Sequence, residues 1–539
     1  MTLSVDSKIF LAAVLLLWGI SQLRSLFFWL YLWQLKEYHI GRFLDHFRTF
    51  KGERIFLNPL FFGKLVLWGV SVIFPLIWPV TLLFYISEAG RALLHVFKKN
   101  VLKPVLTTKT LFLLFGGLLC LKFFIRFLWD TNLGADSLLP WLLFFDIVSP
   151  LIFSLVVLVF QPFAVLGRRK IIEQAKKKRA QFPSLKVVGI TGSYGKTSTK
   201  EFLALILSKK FKVLKTKEHQ NSEVGISRCI LQELNESHEV FVCEMGAYTK
   251  GGIHLLCSIA RPSVGILTGL NEQHMATFGS QENIIKAKFE LIRDLPQGGV
   301  AILNADNDLI RSNATAQMKD AKVQSQIFCS AKEKTEVFAE DIQEKKDSLA
   351  FKVHVEEEQV QFHIPFGGKH NVQNLLVAIA CAKNLGMSMR DIANACKDIP
   401  QELNGLRAQK SSHGFEVIDS SYSANPDGVL ADIEHLGFWK GKKVIVMPCL
   451  IELGKASQEV HRRIGKKIAE VCDLVILTSR DRIEDIQQGA KESGMKEESI
   501  LFMENPQEIY EKIKALCKEG DVVLLEGRVP LRLTSQLLP

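Results

Sequence analysis

The residues best equipped for chemistry lie in one run, Gly189-Ile190-Thr191-Gly192-Ser193-Tyr194-Gly195-Lys196-Thr197-Ser198. The run follows the apolar stretch LKVVGI and leads into the helical pattern TSTKEFLALILSKKF. Glycines let consecutive backbone N–H groups turn inward around phosphate oxygens. A helix starting at such a turn adds positive potential at its N-terminus. Lys196 then has the reach for a β- or γ-phosphate, and the Thr197 hydroxyl is a ligand for Mg²⁺. The spacing predicts a nucleotide site built from Thr191, Gly192, Ser193, Tyr194, Gly195, Lys196, Thr197 and Ser198. It is not the loop of the common GTPases, which needs a glycine where this chain has Ile190.

Further candidates follow along the chain. Glu244 closes the apolar run VFVCE, where an acid is costly unless it holds a metal or a partner. His274 lies in LTGLNEQHMATFGS and Lys288 in IIKAKFE. Taken singly, the first reads as a hydrogen-bonded core histidine and the second as a solvated charge. Asn304 in LNADND reads equally as a nucleotide contact or a turn residue.

Together these segments resemble the Mur ligases and their folylpolyglutamate-synthase relatives. The loop has the family's T-G-x-x-G-K-T-[ST] form. Residues 240–253, VFVCEMGAYTKGGI, resemble the E-M-G-A segment of the member that adds D-alanyl-D-alanine to a muramoyl tripeptide. Residues 419–427, DSSYSANPD, resemble its D-D-S-Y-N-A-N-P-D signature, and 366–374, FGGKHNVQN, match the H-N-x-x-N element. Residues 221–225, NSEVG, resemble N-N-x-I-G. The resemblance implies ATP and two Mg²⁺ ions, held by Thr197, Glu244, His274 and a Lys288 carbamylated by CO₂. It implies catalytic roles for Lys196, Lys288, His274, Glu244 and Arg407, the last directed at ATP phosphates. His370, Asn371, Asn374 and Asp419 are implied nucleotide contacts, and Asn221, Ser222, Tyr422, Asn425 and Asp427 substrate contacts. The chain departs from the family pattern at Ser222, Gly269, Ser420, Cys449 and Glu526.

The implied activity is ATP-dependent amide-bond formation in cell-wall precursor synthesis, by way of an acyl phosphate. D-alanyl-D-alanine or a similar amine would be added to a muramoyl-peptide or lipid-linked acceptor at the membrane. The alternatives are a membrane ligase for another polymer of the poly-γ-glutamate type, and a non-catalytic scaffold carrying a degenerate ligase domain.

The elements that must position these residues alternate between strand and helix. LKVVGI, EVFVCEMGA, PSVGILTGL and GVAILNAD form one series, and GFEVIDSS, KKVIVMPC, CDLVILTS and DVVLLEGR a second. Such alternation predicts parallel α/β sheets covered by helices. The expected organisation is a P-loop central ATP-binding domain over 184–403 and a Rossmann-like C-terminal domain over 404–539. The family's separate UDP-gripping domain has no counterpart here. In its place, residues 1–167 read as a membrane helical segment, and 168–183 as a basic juxtamembrane linker.

Four apolar stretches, near 9–33, 62–87, 106–128 and 137–163, are each long enough to cross about 30 Å of hydrocarbon. Pro75 and Pro79 interrupt the second. The basic run from Arg168 to Arg179 places the end of the last span in the cytoplasm. The loop holding Asp130 and Asp136 then falls outside, although the loop from Lys36 to Arg54, also basic, does not fit simple alternation. The expected location is therefore the cell membrane, multi-pass, with lipid as a partner and the catalytic domains in the cytoplasm. Residues 1–180 carry 22 basic and 9 acidic side chains, while the rest carries 45 and 47, so the net charge of +11 belongs to the membrane half. The soluble half has no basic excess that would support nucleic-acid binding. The ten cysteines lack C-x-x-C spacing and read as reduced, buried residues of a cytosolic domain.

Overall fold

A computed structural model describes the chain except residues 1–4, 48, 75–76, 98–101, 132–134, 219, 320, 405–406, 422–423 and 539. The side chains of 5–11, 78, 95, 135–137, 404 and 407 also lie outside the description. The chain divides into two compact units, Met1–Arg169 and Lys170–Pro539.

The first unit is helical: α1 (Val5–Leu35), α2 (Ile40–His46), α3 (Phe50–Phe56), α4 (Pro59–Ile73), α5 (Trp78–Phe97), α6 (Thr108–Asp130) and the first part of α7 (Ala135–Ala180). Four stretches are long and apolar enough to cross a membrane: Ala12–Leu35, Phe50–Ile73, Thr108–Asp130 and Leu138–Ala180. The expected second span, 62–87, is divided. One helix ends at Ile73 and the next begins at Trp78. Proline lacks an N–H and clashes with the carbonyl four residues back, so Pro79 sits in the first turn of α5 and not inside a continuous helix; Pro75 lies outside the described residues. α5 then carries Glu88 and Arg91, which lower its apolarity.

Charges are buried inside this unit. Lys64 of α4 lies 2.8 Å from Glu88 of α5 and 3.2 Å from Asp146 of α7, whose side chain is fully buried. Asp146 also accepts from Trp18 Nε1 at 2.8 Å and from the Gln22 amide on α1. In an apolar surrounding each of these groups would be costly alone, so the set is held by mutual compensation.

The second unit holds two sheets. The first has nine strands: β1 (Lys186–Thr191), β2 (Val213–Lys215), β3 (Val240–Glu244), β4 (Val264–Leu267), β5 (Val300–Asn304), β6 (Ser325–Ser330), β7 (Val337–Lys345), β8 (Ser348–Val355) and β9 (Glu358–Ile364), in the order β2-β3-β1-β4-β5-β6-β7-β8-β9. The first six are parallel and β7 joins β6 in parallel; β8 and β9 then continue as an antiparallel meander. The parallel strands are nearly continuous Val/Ile/Leu runs because helices cover both faces. β8 instead alternates, burying Leu349, Phe351, Val353 and Val355.

The helices of this part are α8 (Lys196–Ser208), α9 (Glu223–Glu233), α10 (Gly252–Ala260), α11 (Met275–Phe278), α12 (Gln281–Arg293), α13 (Asp308–Met318), α14 (Asn371–Asn384) and α15 (Met389–Lys397). Residues 170–180 of α7 dock on the same part. Ile172 and Ala175 are buried in its core, and Arg179 donates to the carbonyls of Ala260, Phe182 and Leu185.

The second sheet has six strands: β10 (Arg407–Lys410), β11 (Glu416–Ser420), β12 (Lys443–Met447), β13 (Leu474–Leu477), β14 (Ile500–Phe502) and β15 (Val522–Glu526), in the order β10-β11-β15-β12-β13-β14. Only the β10 edge is antiparallel. Its helices are α16 (Pro426–His435), α17 (Ser457–Val471), α18 (Ile483–Glu492), α19 (Pro506–Leu516) and α20 (Leu531–Leu537). α17 and α18 touch backbone to backbone at Gly465 and Gly489, where any Cβ would collide with the carbonyls of Ile486 and Arg462. All ten cysteines are free, and all but Cys120 are buried.

Candidate active site

The loop between β1 and α8 is shaped by contacts that only glycine permits. A Cβ on Gly192 would collide with Thr268 Oγ1, and one on Gly195, at φ 77°, with Asn374 Oδ1. Ser193 N–H donates to Gly269 O at 2.6 Å, and Thr191 Oγ1 donates to Met245 O at 2.7 Å, tying the loop to the ends of its neighbouring strands. Gly269 departs from the family pattern for a local reason. The Tyr194 ring fills the space that a side chain at 269 would need, and its hydroxyl accepts from Asn307 at 3.1 Å. Lys196 Nζ donates to Gly192 O at 2.8 Å and Ser193 O at 2.9 Å. Ser198 is half-buried on the first turn of α8.

Glu244 ends β3 beside this loop. It accepts from Thr197 Oγ1 at 3.0 Å and Asn221 Nδ2 at 3.1 Å, and Lys200 Nζ lies 3.4 Å away. Burial pushes its pKa up, but Lys196, Lys200 and the bonds from Asn221 and Thr197 bring it below the ordinary glutamate value. Lys288, on α12, points into the same region and donates to Ala247 O at 3.3 Å. Burial, then the charge of Lys196, lowers its pKa to about 7 against the pull of Glu290 and Glu244. Burial likewise lowers Lys196, with Glu244 opposing. His274 faces both lysines. Burial and those charges hold it below the usual histidine value despite Glu452, so the ring is neutral near pH 7.

Lys196, Thr197, Glu244, His274 and Lys288 are therefore neighbours. Other expected residues take more structural positions. Asn221 reaches the Glu244 carboxylate, and its carbonyl accepts from Gly246 N–H at 2.8 Å. Ser222 caps α9, its hydroxyl accepting from Gly225 N–H at 3.3 Å. Asn374 joins Thr199 to Asn371, which contacts His370 at 3.1 Å. Asn304 straps Thr268 O at 2.6 Å and accepts from Asp306 N–H, the turn role of its two readings.

Asn425 caps α16, and with Asp427 accepts from Asn271 Nδ2 at 3.2 and 2.7 Å, joining the two sheets' domains. Asp419 accepts from Ser421 N–H at 3.0 Å, and its backbone pairs with that of Arg407. The side chain of Arg407 and all of Tyr422 lie outside the described residues. Two residues escaped the sequence reading. Lys200 is fully buried between Glu201 and Glu244. Glu452 contacts His274 Nδ1 at 2.5 Å.

Whether this set suits Mg²⁺ turns on Lys288. Among the described residues no three His, Cys, Asp or Glu side chains gather at one point. Lys196 and Lys200 flank the one carboxylate, and Lys288 stands near Lys196, so the positive charge gathered there repels a divalent cation. Conversion of Lys288 to a carbamate replaces one cation by an anion and gives Glu244, Thr197 and a carbamate, a hard-oxygen set of the kind Mg²⁺ takes. The reaction with CO₂ requires a free amine, and a lysine with a pKa of about 7 supplies it near neutrality.

Residues 190–382 match the Mur ligase middle domain, and 406–529 the Mur ligase glutamate ligase domain. The chain is 30% identical over 364 residues to the UDP-N-acetylmuramoyl-tripeptide–D-alanyl-D-alanine ligase of Synechocystis, covering 66% of this chain and 75% of that protein. The chain belongs to the Mur ligase family. It is an ATP-dependent ligase of the acid–amino-acid class. The Bacillus subtilis ligase of the same name is 28% identical, covering 67% of this chain and 77% of its own. Among solved structures, MurF from Acinetobacter baumannii aligns with a TM-score of 0.62 at 28% identity, covering 69% of this chain and 80% of that one. MurF from Thermotoga maritima in complex with ADP aligns at 0.58 and 26% identity, covering 68% and 83%.

Two departures from the Mur ligase pattern, Cys449 and Glu526, are buried, and a third, Ser420, is half-buried. Ser420 Oγ donates to Asp432 at 2.6 Å, and Glu526 lies against both. Burial and the Asp432 charge push the Glu526 carboxyl well above its ordinary value. Cys449 N–H donates to Ser479 Oγ at 2.8 Å.

Proposed function

We propose that this Mur ligase is anchored in the membrane by its first unit and joins D-alanyl-D-alanine, or a similar amine, to a muramoyl-peptide acceptor presented there. The relatives named for that reaction support the substrates, and the four apolar stretches support the anchoring. The single observation that carries the catalytic reading is the convergence of Lys196, Thr197, Glu244 and Lys288 on one loop. Residues 1–167, 168–183, 184–403 and 404–539 are the corresponding functional segments.

In the proposed reaction an acceptor carboxylate oxygen attacks the γ-phosphorus of ATP and ADP departs. The amine nitrogen then attacks the acyl carbon, loses a proton, and inorganic phosphate leaves. Lys196 exchanges its two carbonyl contacts for phosphate oxygens and spreads the transferring charge. Thr197, Glu244, His274 and carbamylated Lys288 would hold Mg²⁺, which supplies Lewis-acid neutralisation of phosphate charge. Asn221 keeps Glu244 aimed at the loop, and Lys200 keeps it ionised. His370, Asn371 and Asn374 back the loop on the nucleotide side. Asn425 and Asp427 join the domains near the place where the amine arrives.

The test is phosphate release by the full chain in detergent with ATP, Mg²⁺, D-alanyl-D-alanine and either a UDP-linked or a lipid-linked muramoyl tripeptide. Release with the lipid-linked acceptor alone fixes the membrane reading, and release with the nucleotide-linked acceptor alone removes it. Tight ATP binding with no release on any acceptor would instead favour the scaffold that Ser420, Cys449 and Glu526 suggest.

A further inference from the structure

His274 and Glu452 belong to the two different sheets' domains, and each adopts a conformation that L side chains rarely take. Their φ angles are both 65°. Such backbone strain persists only where surrounding contacts over-determine it. Here the contacts are mutual. His274 Nδ1 lies 2.5 Å from Glu452 Oε2, and Ala276 N–H donates to Glu452 O at 3.1 Å. Gly454, at φ 54°, brings the backbone so close that an added Cβ would lie 3.3 Å from Ala276 N. The loop bearing Glu452 is braced from behind. Buried His461 accepts from Leu450 N–H at Nε2, 3.0 Å, and its Nδ1 meets Ser457 O at 2.6 Å. On the other side the Tyr248 ring packs edge-on against the His274 ring at 4.8 Å.

A carboxylate can only accept. The Glu452 contact therefore fixes the His274 proton on Nδ1 and leaves the Nε2 lone pair free to act as a ligand. A carboxylate on the far nitrogen is the usual way a ligating histidine is oriented.

We propose that Glu452 is a positioning residue which makes His274 competent only when the C-terminal domain is docked. It thereby couples domain closure to Mg²⁺ binding. This rests on the metal role given to His274 above. Without Glu452 the imidazole exchanges between tautomers and rotamers, and the ligand is present for only part of the time.

The experiment uses the full chain in detergent, labelled with ¹⁵N-histidine, and follows the imidazole nitrogens together with the Mg²⁺ dependence of turnover. His274→Ala assigns the signal. Wild type should show one Nδ1–H tautomer. Glu452→Ala should give a tautomer mixture and raise the Mg²⁺ half-saturation by about tenfold or more, with the KM for ATP nearly unchanged. Glu452→Gln keeps an acceptor oxygen and should restore both the tautomer and most of the Mg²⁺ affinity. The proposal is overturned if Glu452→Ala leaves the tautomer and Mg²⁺ dependence as in wild type, or if Glu452→Gln is as damaged as the alanine variant. A His274→Ala variant with unaltered Mg²⁺ dependence would sink the metal reading itself.

Discussion

The two units bury charge in opposite ways. In the first, Lys64 sits between Glu88 and Asp146, so a single cation serves two acids among apolar helices. In the second, Lys196 and Lys200 flank Glu244, Glu201 shares Lys200, and Lys288 stands near Lys196 with its pKa lowered to about 7. The first arrangement is self-contained and resists change. The second gathers lysines at the glycine loop between β1 and α8, where Lys196 is held by the carbonyls of Gly192 and Ser193, and this is electrostatic preparation for a polyanion. Buried charge by itself therefore says little about function; its balance and what it faces say more.

The comparison can be broken most decisively at the loop. Lys196→Ala should lower kcat by about 10³-fold or more, measured as phosphate release, while the fold, read by circular dichroism, is unchanged. Retained activity would remove the lysine from the reaction. In the first unit, Lys64→Met leaves two buried acids without their cation and should destabilise the helices by roughly 3–5 kcal/mol. Replacing Lys64, Glu88 and Asp146 together by Met, Gln and Asn should restore most of that loss in thermal unfolding in detergent. If the triple variant is no better than the single, the cluster is not a compensating set.

Lys288 sharpens the contrast, because its charge is a burden on the fold. Its pKa in the folded chain, about 7, lies below its unfolded value of about 10.4. Between those values the unfolded chain binds more protons, so stability rises with pH across that window. Lys288→Met should thus melt higher than wild type near pH 7, with the gap narrowing toward pH 10 and activity lost; partial rescue of Lys288→Ala by a short carboxylic acid would identify the carbamate. The smallest effect belongs to the exposed Arg126–Asp130 pair, 2.8 Å apart. Asp130→Asn should shift stability by no more than about 0.5 kcal/mol.

The phosphate loop was legible because backbone geometry forces glycine at 192 and 195, and no other residue type satisfies it. The parallel strands were legible from their continuous apolar runs. The meander β7–β9 was not, since its alternating, charge-rich strands resemble surface segments when the sheet they extend is unseen. Lys200 was missed because a lysine one turn after Lys196 reads as solvated; only the fold shows it buried against Glu244. Glu452 was missed because its partner is 178 positions away in the chain. Gly269 looked like a defect and is a fit, since the Tyr194 ring occupies the missing side chain's space.

The glycine crossing of α17 and α18 has a mechanical result. Helices whose main chains touch at Gly465 and Gly489 cannot slide without collision, so they behave as one stiff plate. That plate carries His461, which steadies the Glu452 loop, and Arg463, 3.9 Å from Glu272. The Glu452 loop and Arg463, two of the groups that reach the opposite domain, are thus steadied by the same plate, and they arrive or leave together.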